Sequence, residues 1–85
     1  MNSKQICELV WKETEPLAAA AGCQVWDIKF IKEAGEWVLK VFLDTEIPGN
    51  VTIDMCEAVN RGLDKRLDEL DPIEQSYFLE VSSPG

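Results

Sequence analysis

The sequence predicts a small α+β domain with elements in the order α-β-β-α-β, in which a three-stranded sheet carries both helices on one face. Three observations lead to this fold class. Two segments place apolar residues at helical spacing, three others alternate apolar and polar residues as half-buried strands do, and glycine or proline separates them. Because a chain of 85 residues buries only a modest core, we expect one domain.

The first predicted element is a helix from about Ser3 to Ala21, with Ser3 as its N-cap and Gly22 as its stop. Pro16 lies inside this segment and removes one backbone hydrogen bond. We therefore expect a kinked helix, with a break into two short helices as the alternative. The face expected to be apolar consists of Ile6, Leu9, Val10, Leu17 and Ala20.

Two strands are predicted next, over 24–32 and 36–44, with Ala34-Gly35 as the turn between them. One face of each strand is expected to be the apolar one. These faces are Trp26, Ile28 and Phe30 in the first strand, and Trp37, Leu39, Val41 and Leu43 in the second. A β-bulge that exchanges the two faces over part of the first strand is the alternative.

A second helix and a third strand complete the domain. Thr52 is the expected N-cap of the helix, Asp71-Pro72 ends it, and 76–82 alternates as a strand before Ser83-Pro84-Gly85 stops the pattern. The apolar stripe of this helix is expected to be Ile53, Cys56, Val59, Leu63 and Leu67. The strand order stays open, but a parallel pairing of the second and third strands requires a right-handed crossover.

The charge balance favours a basic protein partner over nucleic acid. The net charge is −8, from 16 acidic and 8 basic residues, and such a surface repels a phosphate backbone. No Gly-x-x-Gly loop of the kind that clamps RNA occurs in the sequence. We expect little independent nucleic-acid binding, while solubility alone is the plainer interpretation of the charge.

Enzymatic chemistry has little support in the sequence. There is no histidine, which removes Ser-His and Cys-His nucleophile systems, and the three cysteines form no Cys-x-x-Cys pair. Asp64, Asp68 and Asp71 are spaced as neighbours on a helix surface, where a solvated face is the favoured interpretation over a metal or acid–base site. We predict no catalytic residue, no metal and no cofactor.

The sequence gives no sign of membrane insertion or secretion. No apolar run approaches 18 residues, and Met1 is followed by polar residues rather than by the apolar core of a signal peptide. Unpaired cysteines fit a reducing compartment, so we expect a cytoplasmic protein.

One face of the sheet is the candidate interaction surface. The helices are expected to cover the other face, which leaves apolar side chains either scattered, as is normal, or joined into a patch that marks an interface. These side chains are Val25, Ile31, Val38, Phe42 and Phe78.

Several motifs together resemble the N-terminal domain of the RimP family of bacterial ribosome maturation factors. The segment GCQVWDI at 22–28 resembles a Gly-x-x-Leu-x-Asp-Val pattern, and LKVFLD at 39–44 resembles a strand that closes on Asp. The segment VTIDMCEAVNR at 51–61 resembles VTIDDCExVSR, with Met55 in place of Asp and Asn60 in place of Ser. Leu67-Asp68, Asp71-Pro72-Ile73 and the final YFLEVSSPG complete the resemblance.

The resemblance implies a domain over 1–81 and, at 82–85, the start of a linker to a C-terminal Sm-like β-barrel. The order α-β-β-α-β is also similar to folds grouped with type II KH domains, here without the Gly-x-x-Gly clamp. Ser83, Pro84 and Gly85 are accordingly expected to be a hinge that orients the second domain.

The resemblance further implies a non-enzymatic factor that binds immature small (30S) ribosomal subunits, with a basic ribosomal protein near the decoding centre as a partner. Candidate contact residues carried over from the motifs are Arg61, Asp68, Glu80 and Ser82. Each has a structural alternative: an ion pair within the helix for Arg61, and simple solvation for the others. The rival function is a stand-alone acidic adaptor unrelated to ribosomes.

Overall fold

The computed structural model describes residues 1–84 and confirms the predicted α+β order. Its elements are α1 (Ser3–Ala21), β1 (Gln24–Glu33), β2 (Glu36–Asp44), α2 (Ile53–Leu70) and β3 (Tyr77–Ser82). Gly85, the last of the predicted hinge residues, lies outside the described residues.

The sheet has the strand order β1-β2-β3, which the sequence left open. β1 and β2 form an antiparallel hairpin, whereas β2 and β3 run parallel and are joined through α2. A parallel pair needs such a crossover because its strands start at the same end of the sheet. β2 is therefore central, and β1 and β3 are the two edge strands.

Both helices pack on one face of the sheet and enclose the core. The predicted inner face of β2 is confirmed, since Leu39, Val41 and Leu43 have no exposed surface. The stack of Phe30 on Trp37, with ring centroids 4.8 Å apart, extends this layer toward the hairpin turn. The helices contribute Ile6, Val10, Ala18, Val59, Leu63 and Leu67.

α1 covers the predicted range, Ser3–Ala21, but its N-cap differs from the predicted one. Its N-cap is Asn2 rather than Ser3, because Asn2 and Gln5 form a capping box: each side-chain oxygen accepts the other residue's backbone N–H at 2.9 Å. The helix continues through Pro16, so the alternative of two short helices is wrong.

The buried stripe of α1 differs in part from the predicted one. Its members are spaced by four residues: Ile6, Val10, Thr14 and Ala18. Thr14 is buried at no loss of hydrogen bonding, because its hydroxyl donates to the Val10 carbonyl oxygen at 2.6 Å. Ala20, which was expected inside, is exposed.

α2 has the predicted N-cap, since the Thr52 hydroxyl accepts the Met55 backbone N–H at 3.2 Å. Val59, Leu63 and Leu67 form its buried face, but Ile53 is 77% exposed and does not belong to the stripe. Ile53 precedes Val59 by six positions, so the two side chains point about 240° apart around the helix axis. At Gly62 the helix approaches α1 so closely that a Cβ would lie 2.8 Å from Leu17 Cδ2.

The β-bulge foreseen as an alternative for the first strand is confirmed. Val25 pairs with Leu43 and Asp27 with Phe42, so the register shifts by one residue between them. The bulge keeps Val25 packed against the core and turns Trp26 out, where its side chain is 59% exposed. Two predictions were wrong as a result: Trp26 is not on the inner face, and Val25 is not on the outer one.

Candidate partner-binding surfaces

The face of the sheet opposite the helices carries a contiguous apolar row. The strand register places Ile31, Val38 and Phe78 side by side across β1, β2 and β3. Val38 in the middle is 8% exposed, while Ile31 and Phe78 at the two ends are 36% and 62% exposed. This row is the most apolar part of the open face, and it ends at each edge of the sheet in an accessible side chain.

A charged row lies directly beside the apolar one and consists of Lys29, Lys40 and Glu80. Lys40 Nζ donates to Glu33 Oε2 at 2.9 Å, so its side chain extends across the apolar row toward the hairpin turn. This hydrogen bond is the main reason that the pKa of Lys40 is raised, and the charges of Glu33 and Glu80 add to it. Lys29 turns the other way, with Nζ 5.9 Å from the centre of the Phe42 ring.

Two of the candidate contact residues lie on this open face. Glu80 is exposed in the middle of β3, next to Lys40, and Ser82 is half-buried at the end of β3, paired with Phe42. Ser83 and Pro84 follow the strand and are exposed. Glu80 and Ser82 are therefore two residues apart on one strand and share a face, as the alternation in the sequence indicates.

The other two candidates lie on the outer side of α2. Arg61, Asp64 and Asp68 follow one another at spacings of three and four residues and form one exposed stripe, here called the α2 stripe. Within residues 1–84 no carboxylate lies in ion-pair range of Arg61. The alternative of an ion pair within the helix describes Arg66 instead, whose guanidinium contacts Glu13 and Glu69.

The structure thus separates the four candidates into two pairs on opposite sides of the sheet. Arg61 and Asp68 lie on the helix side, and Glu80 and Ser82 lie on the open side. One small partner could not contact all four at once. A large surface, such as a groove between two macromolecules, could receive the domain with both sides covered.

The proximity of Tyr77, on β3, to the acidic end of α2 was not predicted from the sequence. Burial raises the pKa of Tyr77, and the nearby charges of Asp64, Asp68 and Asp71 raise it further. The spacing of these three acids was visible in the sequence, but only the parallel placement of β3 brings Tyr77 toward them.

A model of the RimP N-terminal domain matches residues 13–85 of the chain. The chain belongs to the RimP N-terminal domain family. This family is that of the ribosome maturation factor RimP. The matched range includes all four candidate residues, and it omits the capping box at the start of α1.

This RimP-type domain has three cysteines and no histidine. Among residues 1–84, no cluster of three or more histidine, cysteine or carboxylate side chains has the geometry to hold a metal ion. Burial raises the pKa of all three thiols, Cys7, Cys23 and Cys56, which keeps them protonated and weakly nucleophilic. No helix in the described part of the chain is both long and apolar enough to span a bilayer.

Proposed function

We propose that this chain is a non-enzymatic, cytoplasmic maturation factor of the small ribosomal subunit, which binds immature 30S subunits through ribosomal protein and rRNA contacts. Its membership in the RimP N-terminal domain family is the observation that carries this proposal. We propose a basic ribosomal protein near the decoding centre as its protein partner, and a C-terminal Sm-like domain after the linker at 82–85.

The surface chemistry of the domain supports a protein contact as the main source of affinity. The net charge of −8 attracts a basic protein and repels exposed rRNA. Arg61 is a cation with no ion-pair partner among the described residues, so it is available to a carboxylate or phosphate of the subunit. Asp68, Glu80 and Ser82 are the other proposed contacts, and Ser83-Pro84-Gly85 is the proposed hinge.

Co-sedimentation with purified small subunits tests the proposal. We expect the 85-residue chain to be retained by immature subunits more than by mature ones, and to be released as the salt concentration rises, because screening weakens charge–charge contacts. Arg61→Glu is expected to lower the affinity about tenfold, which corresponds to about 1.4 kcal/mol. Glu80→Lys tests the open face of the sheet in the same way.

A matched control separates a specific contact from a change in net charge. Lys32→Glu alters the charge by the same amount as Arg61→Glu, at an exposed position of the hairpin. We expect Lys32→Glu to leave retention within about twofold of the parent chain. Equal losses from the two variants would remove Arg61 from the contact surface.

The acidic adaptor remains the second candidate function, and the accessible apolar row on the open face favours it. An adaptor predicts no retention on immature or mature subunits at any salt concentration, including when the proposed second domain is supplied on the same chain. That outcome would contradict the ribosomal proposal.

A further inference from the structure

The outer edge of β3 is an open hydrogen-bonding surface. β3 pairs with β2 along its whole length, and within residues 1–84 no backbone hydrogen bond outside that ladder involves Tyr77–Ser82. In a parallel pair, alternate residues of an edge strand point their N–H and C=O groups away from the neighbouring strand. About half of the backbone groups of β3 therefore face outward, toward solvent.

β3 has few of the features by which proteins usually protect an edge, and Glu80 is its one charged side chain. Its sequence, YFLEVS, contains no proline and no lysine, and its register with β2 is unbroken. Phe78 is 62% exposed at this edge, so an apolar side chain stands beside the outward backbone groups. This combination of features is typical of an edge that receives another strand.

The surroundings of this edge are acidic, most strongly on the helix side of the sheet. From residue 67 to residue 85 the chain has five acidic residues, Asp68, Glu69, Asp71, Glu74 and Glu80, and no basic one. On the helix side, Asp64, Asp68 and Asp71 are close enough to Tyr77 for their charges to act on its hydroxyl. On the open side, Glu80 is exposed in the middle of the strand and lies next to Lys40 of β2.

We propose that the outer edge of β3 binds an extended segment of a partner protein as a fourth strand, and that this segment alternates basic with apolar residues. Backbone hydrogen bonds to β3 provide affinity, and the side chains on its two faces provide specificity. The apolar residues pack beside Phe78 on the open face, and the alternation then places the basic residues on the helix side, near Asp68. This inference rests on the proposed function, because it describes the partner segment.

A second copy of this chain is a less suitable occupant. Pairing β3 with β3 of another copy would bring the acidic residues around both edges together, and each copy carries a net charge of −8. Like charges placed across an interface oppose association, and they do so most at low salt. The charge that repels a second copy is the charge that attracts a basic segment.

Nuclear magnetic resonance with a synthetic peptide tests the edge directly. The probe is a peptide in which lysine alternates with valine, and the control peptide has glutamate in place of lysine. We expect the lysine peptide to shift the backbone amide signals of 77–82 and to slow their hydrogen exchange, with weaker binding at higher salt. The glutamate peptide is expected to leave these signals unchanged.

Two matched variants compare the edges of the same apolar row. Phe78→Lys places a cation on the edge of β3 and is expected to weaken binding of the lysine peptide at least about tenfold. Ile31→Lys makes the same chemical change at the other end of the row, on β1, and is expected to stay within about twofold. Both positions are exposed, so both variants should fold.

Three results would overturn the inference. They are signal changes located on β1 or the α2 stripe instead of β3, equal losses in Phe78→Lys and Ile31→Lys, and concentration-dependent pairing of β3 with a second copy in place of peptide binding.

Co-sedimentation with immature subunits separates this inference from the proposed function. Retention of the parent chain together with equal retention of Phe78→Lys would contradict the edge contact and leave the ribosomal function standing. Peptide binding at β3 without retention on any subunit would contradict the ribosomal function and leave the edge contact standing.

Discussion

The two edge strands of the sheet, β1 and β3, differ in how far neighbouring residues cover their outward-facing backbone groups. At the β1 edge, Cys7 and Trp11 of α1 line a shallow groove with Ile28, and the backbone N–H of Phe30 lies beside the Cys7 sulfur. Burial raises the pKa of Cys7, while this N–H opposes the rise. At the β3 edge no backbone–backbone hydrogen bond among residues 1–84 lies outside the ladder with β2.

The local sequence of each strand reinforces this difference. β1 contains a bulge at Trp26 and carries Lys29 and Lys32, and bulges and lysines both discourage further strand pairing. β3 has neither feature. A helix, a bulge and charged side chains therefore act together to protect the β1 edge. The β3 edge keeps its backbone accessible and lies in acidic surroundings.

Weakening the packing of α1 against the core is expected to have the largest effect on the difference between the β1 and β3 edges. Ile6 is 2% exposed in the core, one residue before Cys7. Ile6→Ala leaves a cavity beneath the segment of α1 that covers β1, and should lower the free energy of unfolding by about 2–5 kcal/mol. Urea unfolding followed by tryptophan fluorescence measures the loss, and hydrogen exchange at the Phe30 amide should accelerate.

A truncation at the open edge provides the control. Phe78→Ala removes a larger side chain, but one that is mostly exposed, so the free energy of unfolding should change by about 0.5 kcal/mol or less. A loss for Phe78→Ala as large as that for Ile6→Ala would mean that the β3 edge is as well packed as the β1 edge.

Deleting Trp26 should have a smaller effect, because the bulge holds one extra residue. Without Trp26, Val25 opposite Leu43 and Asp27 opposite Phe42 become consecutive pairs of a regular antiparallel ladder. Val25 keeps its place against the core, so we expect the free energy of unfolding to change by about 1 kcal/mol. Contacts between Val25 and Leu43 in nuclear magnetic resonance spectra report whether the register is retained.

Deletion of Lys29 is the matched control, since it also shortens β1 by one residue but lies in the regular part of the ladder. The strand must then slip, which moves inner side chains on one side of the deletion to the open face. We expect a loss above about 3 kcal/mol. If deletion of Trp26 were equally damaging, the bulge would be essential to the fold rather than to the edge.

Much of the fold follows from local patterns in the sequence. The alternation in 36–44 predicts the inner face of β2, and Thr52 predicts the start of α2, because both signals depend on residues close in the chain. Ile53 and Trp26 were misplaced for the opposite reason. Tertiary packing decides which helix residues meet the sheet, and the bulge depends on the pairing with β2.

The candidate surfaces were less predictable than the fold. The motifs supplied Arg61, Asp68, Glu80 and Ser82, but their division between two sides of the sheet requires the packing of α2 and the position of β3. The open edge of β3 was not predicted, because the sequence left the strand order undecided. An edge strand is a property of the topology, and a stretch such as YFLEVS is equally suited to the centre of a sheet.

The smallest expected effect concerns the negative charge around the β3 edge. The titration of Tyr77 measures this charge without interference, because the chain has a single tyrosine. Burial, and then the charges of Asp64, Asp68 and Asp71, raise the pKa of Tyr77 above that of an exposed tyrosine. Folding therefore favours the neutral phenol. This contribution to stability is complete below the unfolded-state pKa, about 10, and is lost as the pH rises through the higher folded-state pKa.

Ultraviolet absorbance of the phenolate measures this titration. Asp68→Asn and high salt should each lower the pKa of Tyr77 part of the way toward its ordinary value, because they weaken the contribution of the carboxylates and leave the burial of the ring unchanged. Glu33→Gln removes a carboxylate near the β1 edge and should leave the titration where it was. A pKa unaffected by salt and by Asp68→Asn would mean that burial alone shifts it. The carboxylates around β3 would then exert too weak a field at the edge to select a basic strand, which would leave the exposed backbone and Phe78 as the source of any affinity there.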